Sequence, residues 1–391
     1  MLSLAAATAA LVLAQPASDQ PESDPAAESR YLSDIRQLTF AEDWAKAGES
    51  YFSPDGKAIV FQAVPAPEEG EEPSPHYGMY AAKMIRHRML DMVSLVSEPG
   101  SANTCGWFHP TQLPRGSYDL MFGSTLVAPN QENQPGYQRG TGQYRWAFPT
   151  EMEIVSLRIG ELHWDGRHAS GSYYEAIDPH LVFEKPGYTA ECSYSPDARH
   201  ILYAQVDEEK SNELGAPDAD LWVFDTETDK HTILVEADGY DGGPFFSPDG
   251  KWICYRSDRK GNNLLQLFVS ELEYDESGKI TGISKEIQLT DNRHVNWAPY
   301  WHPSGEYMLY ASSEVSHGNY EVFAIRFDAE NPEKKQTPTR ITFAKGFDGL
   351  PVFSSDGEMM MWTAQRGDDR SPDGKASSQL WVAKWNGLDG E

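Results

Sequence analysis

A six-bladed β-propeller is the fold this sequence predicts, and three observations predict it. A phrase of aromatic strand, Ser/His-Pro-Asp/Ser-Gly turn and second apolar strand recurs, with variations, at Tyr51–Phe61, Trp107–Gln112, Tyr194–Tyr203, Phe245–Tyr255, Tyr300–Tyr310 and Val352–Trp362. The turn residues Ser53, His109, Ser195, Ser247, His302 and Ser354 follow at gaps of 56, 86, 52, 55 and 52 residues. A repeat of roughly 50 residues built from short strands is the period of a propeller blade. The last copy reaches only its third strand, Gln379–Trp385, whereas Ile35–Phe40, ahead of the first copy, matches the outer strands Ile287–Thr290 and Arg340–Phe343. The expected fold is therefore all-β, a six-bladed propeller closed by an N-terminal outer strand in the last blade.

Each blade follows the same order. The fourth is the best preserved: Asp241-Gly242-Gly243 leads into strand A (Pro244–Ser247), and Pro248-Asp249-Gly250 makes the turn. Proline presets φ there and glycine tolerates a left-handed dihedral. Strand B is Trp252–Tyr255, strand C is Leu264–Leu272 and strand D is Ile287–Thr290. Blade five reads Ala298–His302, Tyr307–Ser312, Tyr320–Phe327 and Arg340–Phe343; blade three reads Glu191–Ser195, His200–Ala204, Asp220–Asp225 and His231–Leu234. Blade one ends with Tyr77–Lys83 and Leu90–Leu95, after an acidic, proline-rich loop, Pro65–Pro75. Blade two carries an insertion at about 124–150 between Tyr118–Gly123 and Met152–Arg158, with Tyr173–Phe183 as the return, so its 86-residue gap is one enlarged blade.

Composition bounds the partners. A formal charge of -28 argues against nucleic acid, whose phosphates need a basic surface, and suits solubility or attraction of cations and basic partners. Leu2–Ala14 is a short apolar run, right for a secretory leader and too short to span a bilayer, so residues 1–14 read as a signal peptide with cleavage near Ala14 or Ala17. Residues 15–30 read as an unfolded linker and 31–391 as one propeller. The expected location is periplasmic or extracellular. Cys105, Cys192 and Cys254 cannot all pair within one chain; a Cys105–Cys192 bridge and buried free thiols both remain open.

The loops from strand D into the next strand A converge on one mouth of the channel. They offer Glu49, Asn103, Glu191, Asp241, Asn296 and Asp348 as a ring of oxygen-bearing side chains. Such a ring can hold a hard cation such as Ca²⁺, with Glu191, Asp241 and Asp348 as its ligands, or a polyol or cationic ligand; it can equally hydrate a narrow channel and cap turns. His294, beside the Asn296 loop, and His317, in a turn between strands B and C, are further candidates at the rim. His109 and His302 replace serine in the turn, where such a side chain caps its own turn. Esterase, zinc-protease and phosphate-loop motifs are missing from the sequence.

The segments Thr104–Pro110, Gly239–Asn263, Val295–Tyr310 and Gly346–Gly357 resemble the WD40-like (PD40) propeller repeats of the TolB type, and the chain is similar to exported bacterial TolB-related proteins over about Tyr31–Gly390. The resemblance implies a periplasmic six-bladed propeller. About thirty residues precede the first propeller strand, so TolB's own amino-terminal α/β domain and its partner role are not expected. The leading expectation is a non-catalytic exported propeller that binds a protein, peptide or glycan at the channel mouth. The alternative is a metal-dependent carbohydrate hydrolase or lyase using carboxylates there.

Overall fold

The computed structural model describes residues 23–111, 113–130, 148–166, 169–371 and 374–389, with side chains omitted at residues 115 and 161–175. The expected leader, 1–14, and much of the blade-two insertion, 131–147, lie outside the described residues. The stretch read as a linker, 15–30, is described from residue 23, and Pro25–Glu28 forms a helical turn (α1) capped by Asp24. It is followed by strand β1 (Leu32–Gln37).

Blade one contains β2 (Trp44–Phe52), β3 (Ala58–Pro65), β4 (Gly78–Ile85) and β5 (Met89–Leu95). Blade two contains β6 (Asn103–Phe108), β7 (Tyr118–Ser124), β8 (Glu153–Gly166) and β9 (Ala169–Leu181). Blade three contains β10 (Thr189–Tyr194), β11 (His200–Val206), a short helix α2 (Glu208–Leu214), β12 (Ala219–Asp225) and β13 (Lys230–Val235). Blade four is β14 (Asp241–Phe246), β15 (Trp252–Ser257), β16 (Gln266–Tyr274) and β17 (Ile280–Gln288). Blade five is β18 (Asn296–Trp301), β19 (Tyr307–Ser316), β20 (Asn319–Arg326) and β21 (Thr339–Arg340). Blade six is β22 (Asp348–Phe353), β23 (Met359–Ala364) and β24 (Gln379–Trp385), with β1 on its rim.

The expectation of a fold closed by its N-terminal strand needs correcting. β1 pairs antiparallel with β24, and the Leu38 N–H donates to the Leu380 carbonyl at 2.8 Å. Yet each of the six sheets is an open row of four strands, and no sheet is closed by hydrogen bonds. The circle is completed by packing instead: inner strands touch in sequence around the axis, and β22 meets β2. Side-chain packing, which has no direction, is what holds wedge to wedge.

Outer strands repeat one local device. Thr39, Thr290 and Thr342 each accept at Oγ1 from a strand-C amide, those of Leu380, Leu267 and Val322, all at 2.8 Å. The N-terminal segment thus takes up in blade six the geometry that blades four and five build from their own chain. Between the faces lies one aromatic ring per blade from the second strand: Phe61, Phe122, Tyr203, Tyr255, Tyr310 and Trp362, all essentially without solvent contact. Each buried ring of this size contributes on the order of 1.5–3 kcal/mol from burial.

The recurring turn explains its own sequence. Ser247 donates from Oγ to Asp249 Oδ1 at 2.7 Å and accepts from Trp252 N at 2.9 Å; Asp249 Oδ1 accepts from Lys251 N at 3.1 Å. Ser53, Ser195 and Ser354 do the same with Asp55, Asp197 and Asp356. His302 and His109 use ring Nδ1 instead, accepting from Ser304 N and Thr111 N at 3.1 Å. They are turn caps, as their position suggests. Ser247→Ala is expected to cost about 1–2 kcal/mol in urea unfolding, because the buried Trp252 amide loses its acceptor.

Candidate functional site

Every inner strand has an irregularity at the same place. Its pairing with the second strand slips at Gly48/Ser50, Thr104/Trp107, Ala190/Ser193, Gly242/Phe245, Trp297/Tyr300 and Gly349/Val352. Four residues before each turn marker, within each slip, stands a residue with positive φ: Glu49 (40°), Cys105 (53°), Glu191 (57°), Gly243 (58°), Ala298 (52°) and Leu350 (54°). A bulge of this kind re-aims a side chain and stores backbone strain when the residue is not glycine. All six line one cavity of about 1260 Å³ at the mouth.

The cavity is a cup. Its floor is built on the position two residues before the marker, where Tyr51, Trp107, Phe245 and Tyr300 meet across the axis and Tyr51, Phe245 and Tyr300 reach the cavity lining. Their ring centroids lie 5.1–6.3 Å apart in all six pairings. Its rim comes from loops between second and third strands: Gly70–Pro75 in blade one, Phe148, Pro149 and Met152 in blade two, His317-Gly318 in blade five and Ser371, Ala376 and Ser378 in blade six. Trp297, Phe347, Leu350 and Tyr320 make one side apolar.

The opposite side is polar and runs through four consecutive blades. Cys105 donates from Sγ to Glu49 Oε1 at 2.9 Å, Tyr51 donates its hydroxyl to the same oxygen at 3.2 Å, and Thr104 Oγ1 donates to Oε2 at 3.4 Å. Glu191 accepts from Tyr240 OH at 2.6 and 2.7 Å, from Gly243 N at 2.5 Å and from Arg256 Nη2 at 3.1 Å. Arg256 Nη2 also donates to Tyr240 OH at 2.7 Å, while its Nε is buried without a partner. Burial and the neighbouring Glu191 charge push the Glu49 carboxyl above its ordinary range, against the lowering pull of the Cys105 thiol and Arg256. Burial first, and then Glu49, push the Cys105 thiol well up. One wall thus carries a carboxyl suited to holding a proton and a second carboxylate locked by a guanidinium.

Gly243 makes room for that lock. Its φ is positive, and a Cβ there would collide with Arg256 Nη1. Gly243→Ala is therefore expected to expel the guanidinium from Glu191 and weaken ligand capture more than tenfold, measured by calorimetry with a ligand identified for the wild type.

The ring read from the sequence divides between two registers. Glu49 and Glu191 are bulge residues in the cup. Asn103, Asp241, Asn296 and Asp348 stand two residues earlier, buried beside the second strand. Asn103 also borders the cup, but its Nδ2 is held by the Tyr77 carbonyl at 2.9 Å and by Ser97 and Ser101. Asn296 bonds Gln266, Asn292 and Ser312. Asp241 pairs with Arg259 at 3.0 Å, and Asp348 with Arg366 at 2.7 Å. With Arg256 on Glu191, each of the three expected Ca²⁺ ligands carries an arginine as counter-charge, so a cation there would have to displace a guanidinium. Among the described residues no group of three or more His, Cys, Asp or Glu side chains is placed to hold a metal ion. His317 lies exposed on the rim, whereas His294 is half-buried outside the cup and uses its carbonyl to accept from Gln266 Nε2. All three cysteines are free.

Sequence reasoning missed Arg256, Tyr240 and the four-ring floor. The floor had a signal: an aromatic residue two positions before the marker in four of the six copies. Arg256 had none, because it sits in the second strand of one blade and reaches the bulge of another. No helix of the described residues is long and apolar enough to cross a membrane.

No family model matches the chain. The TolB protein of the Tol-Pal system from Wolinella succinogenes is 26% identical over 249 residues, 61% of this chain and 54% of that protein. Dipeptidyl-peptidase 5 of Porphyromonas gingivalis is 29% identical over 140 residues, 34% of this chain and 20% of that one. YuxL of Bacillus subtilis, named an uncharacterized peptidase, is 26% identical over 198 residues, 46% and 28% of the two chains. The matches span between a fifth and about half of these relatives' lengths. A solved structure of unknown function from Dyadobacter fermentans shares the fold, with a TM-score of 0.51 and 12% identity over 90% of this chain and 98% of that one. The chain is a six-bladed propeller related at low identity to TolB and other propeller proteins. The expectation that favoured a non-enzyme over an enzyme is corrected: two of these relatives, matched over 28% and 20% of their lengths, are named as peptidases.

Proposed function

We propose that the cup is the active site of an enzyme acting on carbohydrate by acid–base chemistry, hydrolysis or elimination, with Glu49 giving or taking the proton. The observation that carries this reading is the Glu49 carboxyl itself: half-buried in the wall of a large cavity, oriented by Cys105, Tyr51 and Thr104, and pushed above the ordinary carboxyl range. Perturbed carboxyls in clefts are where acid–base chemistry is found. Supporting it, aromatic side chains on the cavity lining (Tyr51, Phe245, Tyr300, Trp297, Phe347 and Tyr320) suit packing against sugar rings, and Glu49, Thr104, Glu191 and Arg256 on the same lining suit hydrogen bonding to sugar hydroxyls. Glu191, locked by Arg256 and Tyr240, positions that wall. An extracytoplasmic setting belongs to the same proposal, on the low-identity relation to TolB and the apolar run at 2–14.

The test is a panel of neutral and acidic oligosaccharides, read for new reducing ends and for the ultraviolet absorbance of unsaturated products, with a dipeptide panel in parallel. Glycan turnover that disappears in Glu49→Gln while binding persists is the expected result. Turnover of peptides alone, or glycan turnover equal in wild type and Glu49→Gln, would overturn it.

A further inference from the structure

Blade three holds a second, smaller cavity of about 300 Å³, lined by Pro186, Gln205, Val206, Glu208, Asp220 and Trp222 among others. It lies between the end of β11, the start of α2 and the start of β12, on the same face as the cup and away from its lining. Asp220 is its innermost charge. The residue is 7% exposed, and its Oδ1 is buried without a hydrogen-bond partner. A carboxylate removed from water needs a counter-charge or a proton.

The cations nearby are already committed. Lys210 Nζ pairs with Asp218 Oδ2 at 3.3 Å and Asp238 Oδ1 at 3.5 Å. Lys185 Nζ donates to Gln205 Oε1 at 2.9 Å and lies 3.8 Å from the centre of the Trp222 ring. The lip is acidic: Asp207, Glu208 and Glu209 are all exposed. Asp207 spends one oxygen on the Lys210 amide at the start of α2. The site thus combines an unpaired inner carboxylate, a negative entrance, and a wall of indole, proline and valine.

We propose that this cavity binds a primary ammonium group on an unbranched alkyl chain, the head against Asp220 and the methylene stem along Val206, Pro186 and Trp222. An alkylammonium satisfies both needs at once, since its charge pairs with the carboxylate and its stem covers apolar surface. The volume suits such a chain and is too small for an oligosaccharide. Without a cation, Asp220 keeps its proton to about pH 7, first through burial and then through Asp218, with Asp241 and Glu236 adding and Lys210 opposing. Binding expels that proton, so affinity rises with pH: between pH 6 and pH 8 the ionised fraction, and with it the affinity, grows about tenfold.

Calorimetry with 1,5-diaminopentane and with N-acetyl-lysine methylamide tests this on the full chain at pH 6 and pH 8. The expected result is saturable binding, about tenfold tighter at pH 8, and lost by at least tenfold in Asp220→Asn but not in Glu209→Gln. Lysine amide binding as tightly as the diamine would assign the site to a partner's lysine, and diamine alone to a free amine. Equal weakening by both substitutions, or none by Asp220→Asn, would overturn the proposal. A carboxyl carbon resonance of Asp220 in the wild type gives a second reading: its titration must move to lower pH when diamine is added.

Discussion

Glu49→Gln is expected to lower turnover in the cup by roughly 10²–10⁴-fold with little change in fold, the range for losing a positioned acid or base. Glutamine keeps the shape and can still accept from the Cys105 thiol and the Tyr51 hydroxyl, so geometry survives while the exchangeable proton is gone. The pH dependence separates this from a structural effect. The Glu49 carboxyl is pushed above the usual carboxylate range, so the proton-bearing form persists to higher pH than in an exposed glutamate. If Glu49 donates, activity holds on the acid side and falls as pH rises through its raised pKa; if it accepts, the limb runs the other way. Either limb should vanish in Glu49→Gln. Glu191→Gln should behave differently, weakening capture and stability together, because that carboxylate anchors Tyr240, the Gly243 amide and Arg256. A rate profile with the same limb in Glu49→Gln as in wild type would remove Glu49 from the chemistry.

Arg366→Ala is expected to be the most destabilising of the charge deletions, by about 3–5 kcal/mol in the urea midpoint analysis. One guanidinium serves two carboxylates: Nη1 and Nη2 donate to Glu28 at 2.9 and 2.8 Å, and Nε and Nη2 donate to Asp348 at 2.7 Å. All three side chains are at least nine-tenths buried. Removing the arginine strands two negative charges, whereas Glu28→Ala removes one and leaves Arg366 still paired with Asp348, so its cost should be smaller. The exposed Arg158–Asp119 pair, with half of the arginine side chain in water, sets the lower end: its deletion should cost under about 1 kcal/mol. The comparison matters for the fold because Glu28 lies in α1. Its carboxylate also accepts from the Phe343 amide at 2.8 Å, and Asp24 N donates to the Phe343 carbonyl at 2.9 Å. The segment before β1 is therefore tied across blades five and six, although its composition reads as unfolded. Local composition is silent about a distant arginine.

Much of the architecture was legible because its causes are local. Ser-Pro-Asp-Gly makes its turn with its own side chains, and Thr39 repeats what Thr290 and Thr342 do in neighbouring blades. The site was only half legible. Aligning loops by their acidic and amide residues merged two positions, the bulge that faces the cup and the residue two places earlier that faces the second strand. Both sit on the same side of an ordinary strand, and a left-handed bulge carries no fixed residue type: the six are Glu, Cys, Glu, Gly, Ala and Leu.

By itself, then, the sequence determined the number of blades, the order of strands within them and the place of the six recurring turns, since each of those turns is built from contacts within about a dozen residues. Tertiary structure alone decided that the sheets stay open and complete their circle by packing, that four aromatic rings floor the cup, and that Arg256 rather than a metal ion faces Glu191. The reason is distance along the chain: those partners stand tens to hundreds of residues apart, and only the folded wedges bring them within hydrogen-bonding or van der Waals reach.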